Sequence, residues 1–215
     1  MPLLLAIMAS GRGSNAKAIL EAIEQGKLDA KVQCVISNMP HAPVLTMADN
    51  FGVPTFCIFH QGLSRENHET QVLNVLKDYQ IDYLVLAGYM RLMTPTFLSA
   101  FHAKNHYRII NIHPALLPAF PGAHGYEDAF QYGVKISGVT VHFVDEGIDT
   151  GPILMQESFP RLDDDTLETF KSRGLALEHV IYPKALQLLA QNRVRFIPHS
   201  KTGRVHVEVK AHAVC

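Results

Sequence analysis

The chain has no tryptophan and only three cysteines in 215 residues. Cys34, Cys57 and Cys215 are too widely spaced for a metal or redox motif and make no paired framework, so a disulfide scaffold and a zinc ribbon are both excluded. Each is read as a reduced thiol present for packing or by chance. A surplus of charge is also missing. Lys and Arg total 19 against 20 Asp and Glu, which leaves no broad basic field for nucleic acid or an anionic membrane. Any phosphate must be held by local groups. Long apolar runs are absent too: the stretch 3–9 is far too short to span a bilayer and lacks the basic start and extended apolar core of a signal peptide. The expected location is the cytoplasm. Histidine is abundant, but His102 and His106 make the only i, i+4 pair, without a carboxylate or a second cluster, and no metal is expected.

What is present is an ordinary globular composition, 47% hydrophobic and 18% charged, sufficient for one domain with a sizeable core. No repeat, low-complexity tract or internal linker interrupts it. The first half alternates β-rich runs (3–9, 32–37, 55–58, 83–86) with helical patterns (15–25, 43–51, 65–79), the signature of βαβ units on a parallel sheet. In 65–79, Val72, Leu73, Val75, Leu76 and Tyr79 cluster toward one face and Arg65, Glu66 and Glu69 are assigned to solvent. After the run 109–112 come a Pro- and Gly-rich loop, a helix near 126–133, and two strands, 137–144 and 153–159. Their connection is short enough to make them antiparallel, so the sheet is mixed. Asp163-Asp164-Asp165-Thr166 caps a long helix running to about Gln191 with a kink expected at Pro183, and 194–197 with 205–209 reads as a closing hairpin. The fold class is α/β, a mixed and mostly parallel sheet with helices on both faces.

Chemistry concentrates at strand ends. Asn111-Ile112-His113-Pro114 closes one apolar run, and Asp149 follows the strand containing His142. Amide and imidazole N–H groups can hold a carbonyl oxygen that gains negative charge, and a carboxylate can manage the proton of an attacking amine, a set suited to acyl transfer without a covalent enzyme intermediate. Taken singly, Asn111 and His113 also read as residues that end a strand and turn into Pro114. His142 reaches the same region if strand alternation points it inward, and is placed behind the other three.

The first strand ends in Ser10-Gly11-Arg12-Gly13-Ser14-Asn15, directly before a helix. Glycines admit an anion close to the backbone, while free helix N–H groups, the Ser14 hydroxyl and the Asn15 amide offer donors to phosphate oxygens. The pattern also fits a dinucleotide fingerprint, but the second strand ends in Ser37-Asn38 instead of the acid that a nicotinamide ribose requires. A plain strand-to-helix turn is the remaining alternative.

The blocks Asn111-Ile112-His113-Pro114-Ala115-Leu116-Leu117-Pro118, Thr140-Val141-His142 and Asp149-Thr150-Gly151-Pro152-Ile153 resemble the family of formyltransferases that use 10-formyltetrahydrofolate. The resemblance runs from the first strand to about Asn192. It implies a Rossmann-like formyltransferase fold and a catalytic trio of Asn111, His113 and Asp149. Its closest form implies transfer of the formyl group to the amine of glycinamide ribonucleotide in purine synthesis, with the substrate's phosphate on the Gly11, Arg12, Gly13, Ser14 and Asn15 loop. Met90, Arg91 and Leu92, in Leu86-Ala87-Gly88-Tyr89-Met90-Arg91-Leu92-Met93, match the segment that frames the pterin. The loop bearing Asp145, Glu146 and Ile148 closes the other side. For Met90, Leu92 and Met93 the competing reading is ordinary core. Arg65 matches a residue that orients the nucleotide, and could equally decorate a solvated helix start. Glu178 matches a ribose contact, whereas Leu175 stands where many members carry Gln near the phosphate, and Arg12 is a charge that could substitute. The resemblance divides the single domain into a nucleotide-binding half (1–105), a catalytic and folate-binding half (106–195) and a hairpin with tail (194–215). Within the same chemistry the alternatives are water or methionyl-tRNA as formyl acceptor; outside it, a non-catalytic nucleotide or folate binder.

Overall fold

The computed structural model describes residues 1–103 and 106–211, so Cys215 and the end of the expected C-terminal tail lie outside the described residues. The elements run β1 (Leu3–Ala9), α1 (Ser14–Glu24), β2 (Ala30–Ser37), α2 (Pro43–Asn50), β3 (Thr55–Cys57), α3 (Arg65–Leu76), β4 (Tyr83–Leu86), α4 (Pro95–Ser99), β5 (Ile109–His113), α5 (Gly125–Tyr132), β6 (Ile136–Phe143), β7 (Ile153–Pro160), α6 (Leu167–Ala190), β8 (Val194–Pro198) and β9 (Val205–Val209). Seven strands form one sheet in the order β3-β2-β1-β4-β5-β6-β7, and β8 pairs with β9 separately. Strands β1 to β5 are parallel, β6 is antiparallel to β5, and β7 is antiparallel to β6. The sheet is mixed as the short connection after β6 implied, and helices cover both faces.

Strand alternation divides the core. Leu5 and Ile7 pack on one face with Ile19 of α1, Val44 of α2 and Ile181 of α6, while Ala6 and Met8 pack on the other with Val72 of α3 and Phe97 of α4. Because β1 is sandwiched between helical layers, it reads as a continuous apolar run without alternation. Free Cys34 lies in the second layer, where burial pushes its thiol pKa up to about 12, and free Cys57 is exposed.

Two details differ from the sequence reading. Glu69 is buried, not solvated: its carboxylate accepts the backbone N–H of Thr94 at 2.8 Å and also the Thr94 hydroxyl, fixing the start of α4. Helix α4 was itself not foreseen, being a single short turn signalled only by the Thr94 cap and Pro95. Helix α6 continues through Pro183, and its start carries the Thr166 cap.

The fully buried Tyr182 of α6 extends its hydroxyl under the sheet to the carbonyls of Leu86 (2.9 Å) and Ile110 (3.0 Å), on adjacent strands β4 and β5. Tyr182→Phe is expected to destabilise the fold by about 0.5–1.5 kcal/mol, the net worth of a buried hydrogen bond, read as a lower denaturation midpoint in urea with an unchanged slope.

Candidate active site

The parallel strands deliver their carboxyl ends to one edge, and the antiparallel β6 runs back from it along β5. Its register sets Asn111 opposite His142 and His113 opposite Thr140. In consequence Asn111 Nδ2 lies 3.3 Å from His142 Nε2. The other nitrogen of His142, Nδ1, is 2.9 Å from the Phe143 carbonyl and donates to it, which leaves Nε2 as the acceptor for the Asn111 amide. Burial pushes the His142 pKa below the ordinary imidazole value, in keeping with a neutral ring. His142 thus holds the Asn111 side chain in one orientation, and the second N–H of that amide is left for another acceptor.

Asp149 enters from the loop after β6 with φ 53°, a left-handed conformation that costs a non-glycine residue about 1 kcal/mol or more. Its Oδ2 accepts the Gly122 N–H at 2.7 Å and stands 3.4 Å from His113 Nδ1; its Oδ1 is 3.6 Å from His142 Nε2. His113 Nε2 is 2.7 Å from the Phe120 carbonyl. Both nitrogens of His113 therefore face oxygens, so the protonated ring can donate at both and the neutral ring at one. Amide, two imidazoles and carboxylate converge, and all four sequence-predicted residues are in the cluster. The loop supplying Phe120 and Gly122 is held by Thr140, which accepts from Leu117 N–H at 3.1 Å and donates to the Ala115 carbonyl at 2.7 Å, with Gln156 Nε2 donating to the Leu117 carbonyl at 2.9 Å.

Two strands away, β1 runs into the loop preceding α1. Gly13 is buried with φ 72°, and a Cβ there would come within 2.3 Å of the Val44 side chain, so close approach of α2 demands glycine. Ser14 is the first residue of α1, whose initial N–H groups are unpaired within the helix. The Asn15 side chain departs from the expected role. It turns away from the loop and donates to Glu178 Oε2 at 2.6 Å, so what Asn15 offers an anion is its backbone N–H. Glu178, a predicted ribose contact, is buried beneath the loop with Oε1 accepting the Tyr126 hydroxyl at 2.5 Å; burial pushes its carboxyl pKa up. It ties α1, α5 and α6 together under the cradle. Arg12 is exposed on the loop, and Leu175 is half-buried. Arg65 is exposed at the start of α3, and among the described residues no hydrogen bond or ion pair links it to this loop or to the catalytic cluster.

The segment after β4 overturns the core reading of Met90 and Leu92. They are 66% and 55% exposed, and Ile148, on the loop after β6, is 53% exposed. Arg91 and Met93 are half-buried. The loop after β6 is internally braced, Asp145 Oδ1 accepting from Gly147 N–H (3.1 Å) and from the Thr150 hydroxyl (2.7 Å), while Glu146 is exposed. Exposed unbranched and branched apolar side chains flanking a polar cluster are what a flat heteroaromatic ligand requires. Sequence reasoning assigned no individual role to Ser10, the Phe120 carbonyl, the Gly122 N–H, Thr140, Gln156 or Tyr126. For Thr140 the clue lay in its place two residues before His142; backbone groups carry no such signature. The pair His102/His106 is not on a helix, and His102 Nε2 lies 2.9 Å from the Val144 carbonyl.

The chain belongs to the formyl transferase family, whose pattern matches residues 4–186. Within that family it is similar to phosphoribosylglycinamide formyltransferases. It is 42% identical over 191 residues to the phosphoribosylglycinamide formyltransferase of Bacillus subtilis, spanning 87% of this chain and 95% of the relative. The crystal structure of glycinamide ribonucleotide transformylase 1 from Symbiobacterium toebii superposes with a TM-score of 0.89 at 37% identity, over 98% of this chain and 95% of that one. A formyltetrahydrofolate deformylase from Pseudomonas syringae pv. tomato also shares the fold, with a TM-score of 0.86 at 27% identity over 98% of this chain and 67% of that one.

Burial lowers the pKa of His142 and likewise of His68, His102 and His179 from the usual 6.5. Below that value the unfolded chain binds more protons than the folded one. The stability these groups contribute is complete above about pH 6.5 and is lost as pH falls through the lowered folded values. The raised pKa of Glu178 acts in the opposite sense: its contribution is full below the ordinary carboxyl value and is lost as pH rises through the folded one. Urea denaturation between pH 7 and 5 is therefore expected to show falling stability, with a shallower fall in His142→Gln. A His142→Gln profile as steep as that of the wild type would contradict neutral burial of this ring.

Proposed function

We propose that this protein transfers the formyl group of 10-formyltetrahydrofolate to the amine of glycinamide ribonucleotide, giving the formylated nucleotide and tetrahydrofolate. The observation that carries the proposal is the convergence of Asn111, His113, His142 and Asp149 at the sheet edge that also bears the phosphate loop. Strands β1 and β5 are separated only by β4, which sets the loop and the cluster about 10 Å apart across the sheet. A ribose with a phosphate on one side and a glycinamide on the other bridges such a gap.

The phosphate rests on the backbone N–H groups of Gly13, Ser14 and Asn15 and the Ser14 hydroxyl, with Gly11 and Arg12 at its margin. Glu178 supports this loop from below and Arg65 reaches the nucleotide from α3. The pterin lies against Met90, Arg91 and Leu92, closed on its other side by Asp145, Glu146 and Ile148. The amine attacks the formyl carbon, and the carbonyl electron pair moves to oxygen. The second N–H of Asn111 is the donor available to that oxyanion without rearrangement, and His113 joins it by exchanging the Phe120 carbonyl for the developing charge. Asp149, 3.4 Å from His113 Nδ1, orients that ring and takes part in passing the amine proton, through water, to the leaving folate nitrogen as the carbon–nitrogen bond breaks. No metal enters this scheme, and neither nucleic acid nor a membrane is a partner in it. Among the described residues, no helix is long and apolar enough to cross a bilayer, and the cytoplasm is the proposed location.

The test follows tetrahydrofolate release from 10-formyltetrahydrofolate with and without glycinamide ribonucleotide. Release that depends on the nucleotide supports the transferase, and equal release without it assigns the site to hydrolysis. Asp149→Asn, Asn111→Ala and His113→Ala are each expected to lower turnover by about a hundredfold or more while separately measured ligand affinities change little. Asn111→Ala combined with Asp149→Asn should cost far less than the product of the single effects. Near-normal turnover in Asp149→Asn removes the carboxylate from the mechanism.

A further inference from the structure

Ser10 lies immediately after β1 and immediately before Gly11 of the phosphate loop. Its backbone N–H donates to the Gly88 carbonyl at 3.1 Å, and its hydroxyl oxygen accepts the Met90 N–H at 3.0 Å. The hydroxyl proton goes to Asn38 Oδ1 at 2.7 Å. Asn38 is buried just after β2, and its backbone carbonyl lies 2.8 Å from His60 Nδ1, so the backbone of the residue that accepts from Ser10 is itself held. One residue therefore belongs to the anion cradle by sequence and grips the pterin-facing segment by three-dimensional contact.

That segment depends on such grips. Gly88 is exposed with φ 76°, and Met90 and Leu92 are exposed, so apart from Tyr89, which packs against the second core layer, side-chain packing contributes little between residues 88 and 92. At its far end, Glu69 of α3 holds Thr94. At its near end, the contacts are those of Ser10. The two clamps differ in one respect: Ser10 is continuous with the cradle, whereas Glu69 touches only Thr94 among the described hydrogen bonds.

We propose that Ser10 is a positioning residue that couples the two ligand sites. An anion that orders residues 11–15 fixes Ser10, and Ser10 in turn fixes the backbone of Gly88 and Met90, so the folate binds more tightly once the nucleotide phosphate is in place. By linkage the reverse holds to the same degree. The inference rests on the assignment of the two sites made under Proposed function. One net hydrogen bond supports a coupling factor of roughly threefold to tenfold.

The experiment is titration calorimetry of the full chain with tetrahydrofolate, in the absence and presence of saturating ribose 5-phosphate, and the converse titration. In the wild type each probe is expected to lower the dissociation constant of the other about threefold to tenfold. Ser10→Ala should bring this factor close to one while ribose 5-phosphate alone still binds. Ser10→Thr, which keeps the hydroxyl, should preserve it. Glu69→Gln should weaken tetrahydrofolate binding yet leave the factor unchanged, a separation that general loosening of the segment would not produce. If Ser10→Ala does not fold, Ser10→Cys, a near-isostere with a weak donor and acceptor, is read in its place. Independent binding of the two probes to the wild type, or full coupling in the Ser10 variants, overturns the coupling and leaves the proposed function standing. Failure of either probe to bind the wild type alone overturns both.

Discussion

The antiparallel pairing of β6 against β5 is the constraint on which the catalytic arrangement depends. A parallel strand in that place would run Thr140 and His142 in the opposite order along β5 and lose the pairing of His142 with Asn111 and Thr140 with His113. Antiparallel register sets the His142 ring opposite the Asn111 amide and returns the chain at once into the loop that carries Asp149. A slip of one residue would turn His142 to the other face of the sheet and bring Val141 or Phe143 to the amide. Thr140, two pairs further along, ties the same strand to the loop supplying Phe120 and Gly122. The register thus determines both the inner ring of polar groups and the backbone that surrounds it.

Much of this was legible in the sequence because it is carried by periodicity and by side chains with few alternative uses. The β1, β4 and β9 limits agree with the apolar runs, and the mixed sheet follows from the short β6 to β7 connection. Asn111, His113 and Asp149 stood out through their chemistry, and the resemblance carried the rest of the set. What escaped was whatever depends on tertiary contact. Glu69 lies on a helix surface that looked solvated until α4 covered it, and Asn15 looked like an anion ligand until α6 brought Glu178 beneath it. The contacts of Phe120 and Gly122 are made by backbone atoms, which every residue possesses, so no pattern of side chains could identify them.

The loop proposed to hold the phosphate rests on a buried acid. Glu178 of α6 meets helices α1 and α5, and both its oxygens are taken by neutral donors, Asn15 and Tyr126. No cation accompanies it in these contacts, and a full negative charge there would lie close below a loop meant for an anion. Raising the carboxyl pKa through burial eases that conflict, while the hydrogen bonds from Tyr126 and Asn15 oppose the shift. Rigidity and electrostatic tolerance of an anion are in tension at this point, and the neutral donors moderate both.

The outward-facing Met90, Leu92 and Ile148 have a consequence for thermodynamics as well as for shape. They keep apolar surface in contact with water in the free protein, and a ligand that covers them removes that hydration. Association at this edge should therefore carry a negative heat-capacity change, its enthalpy becoming more favourable and its entropy less so as temperature rises. The loop 11–15, whose backbone N–H groups are proposed to face an anion, would respond instead to ionic strength. Under the proposed function, one surface thus answers to two independent solution variables, heat at the edge bearing Met90, Leu92 and Ile148 and salt at the edge bearing the loop 11–15.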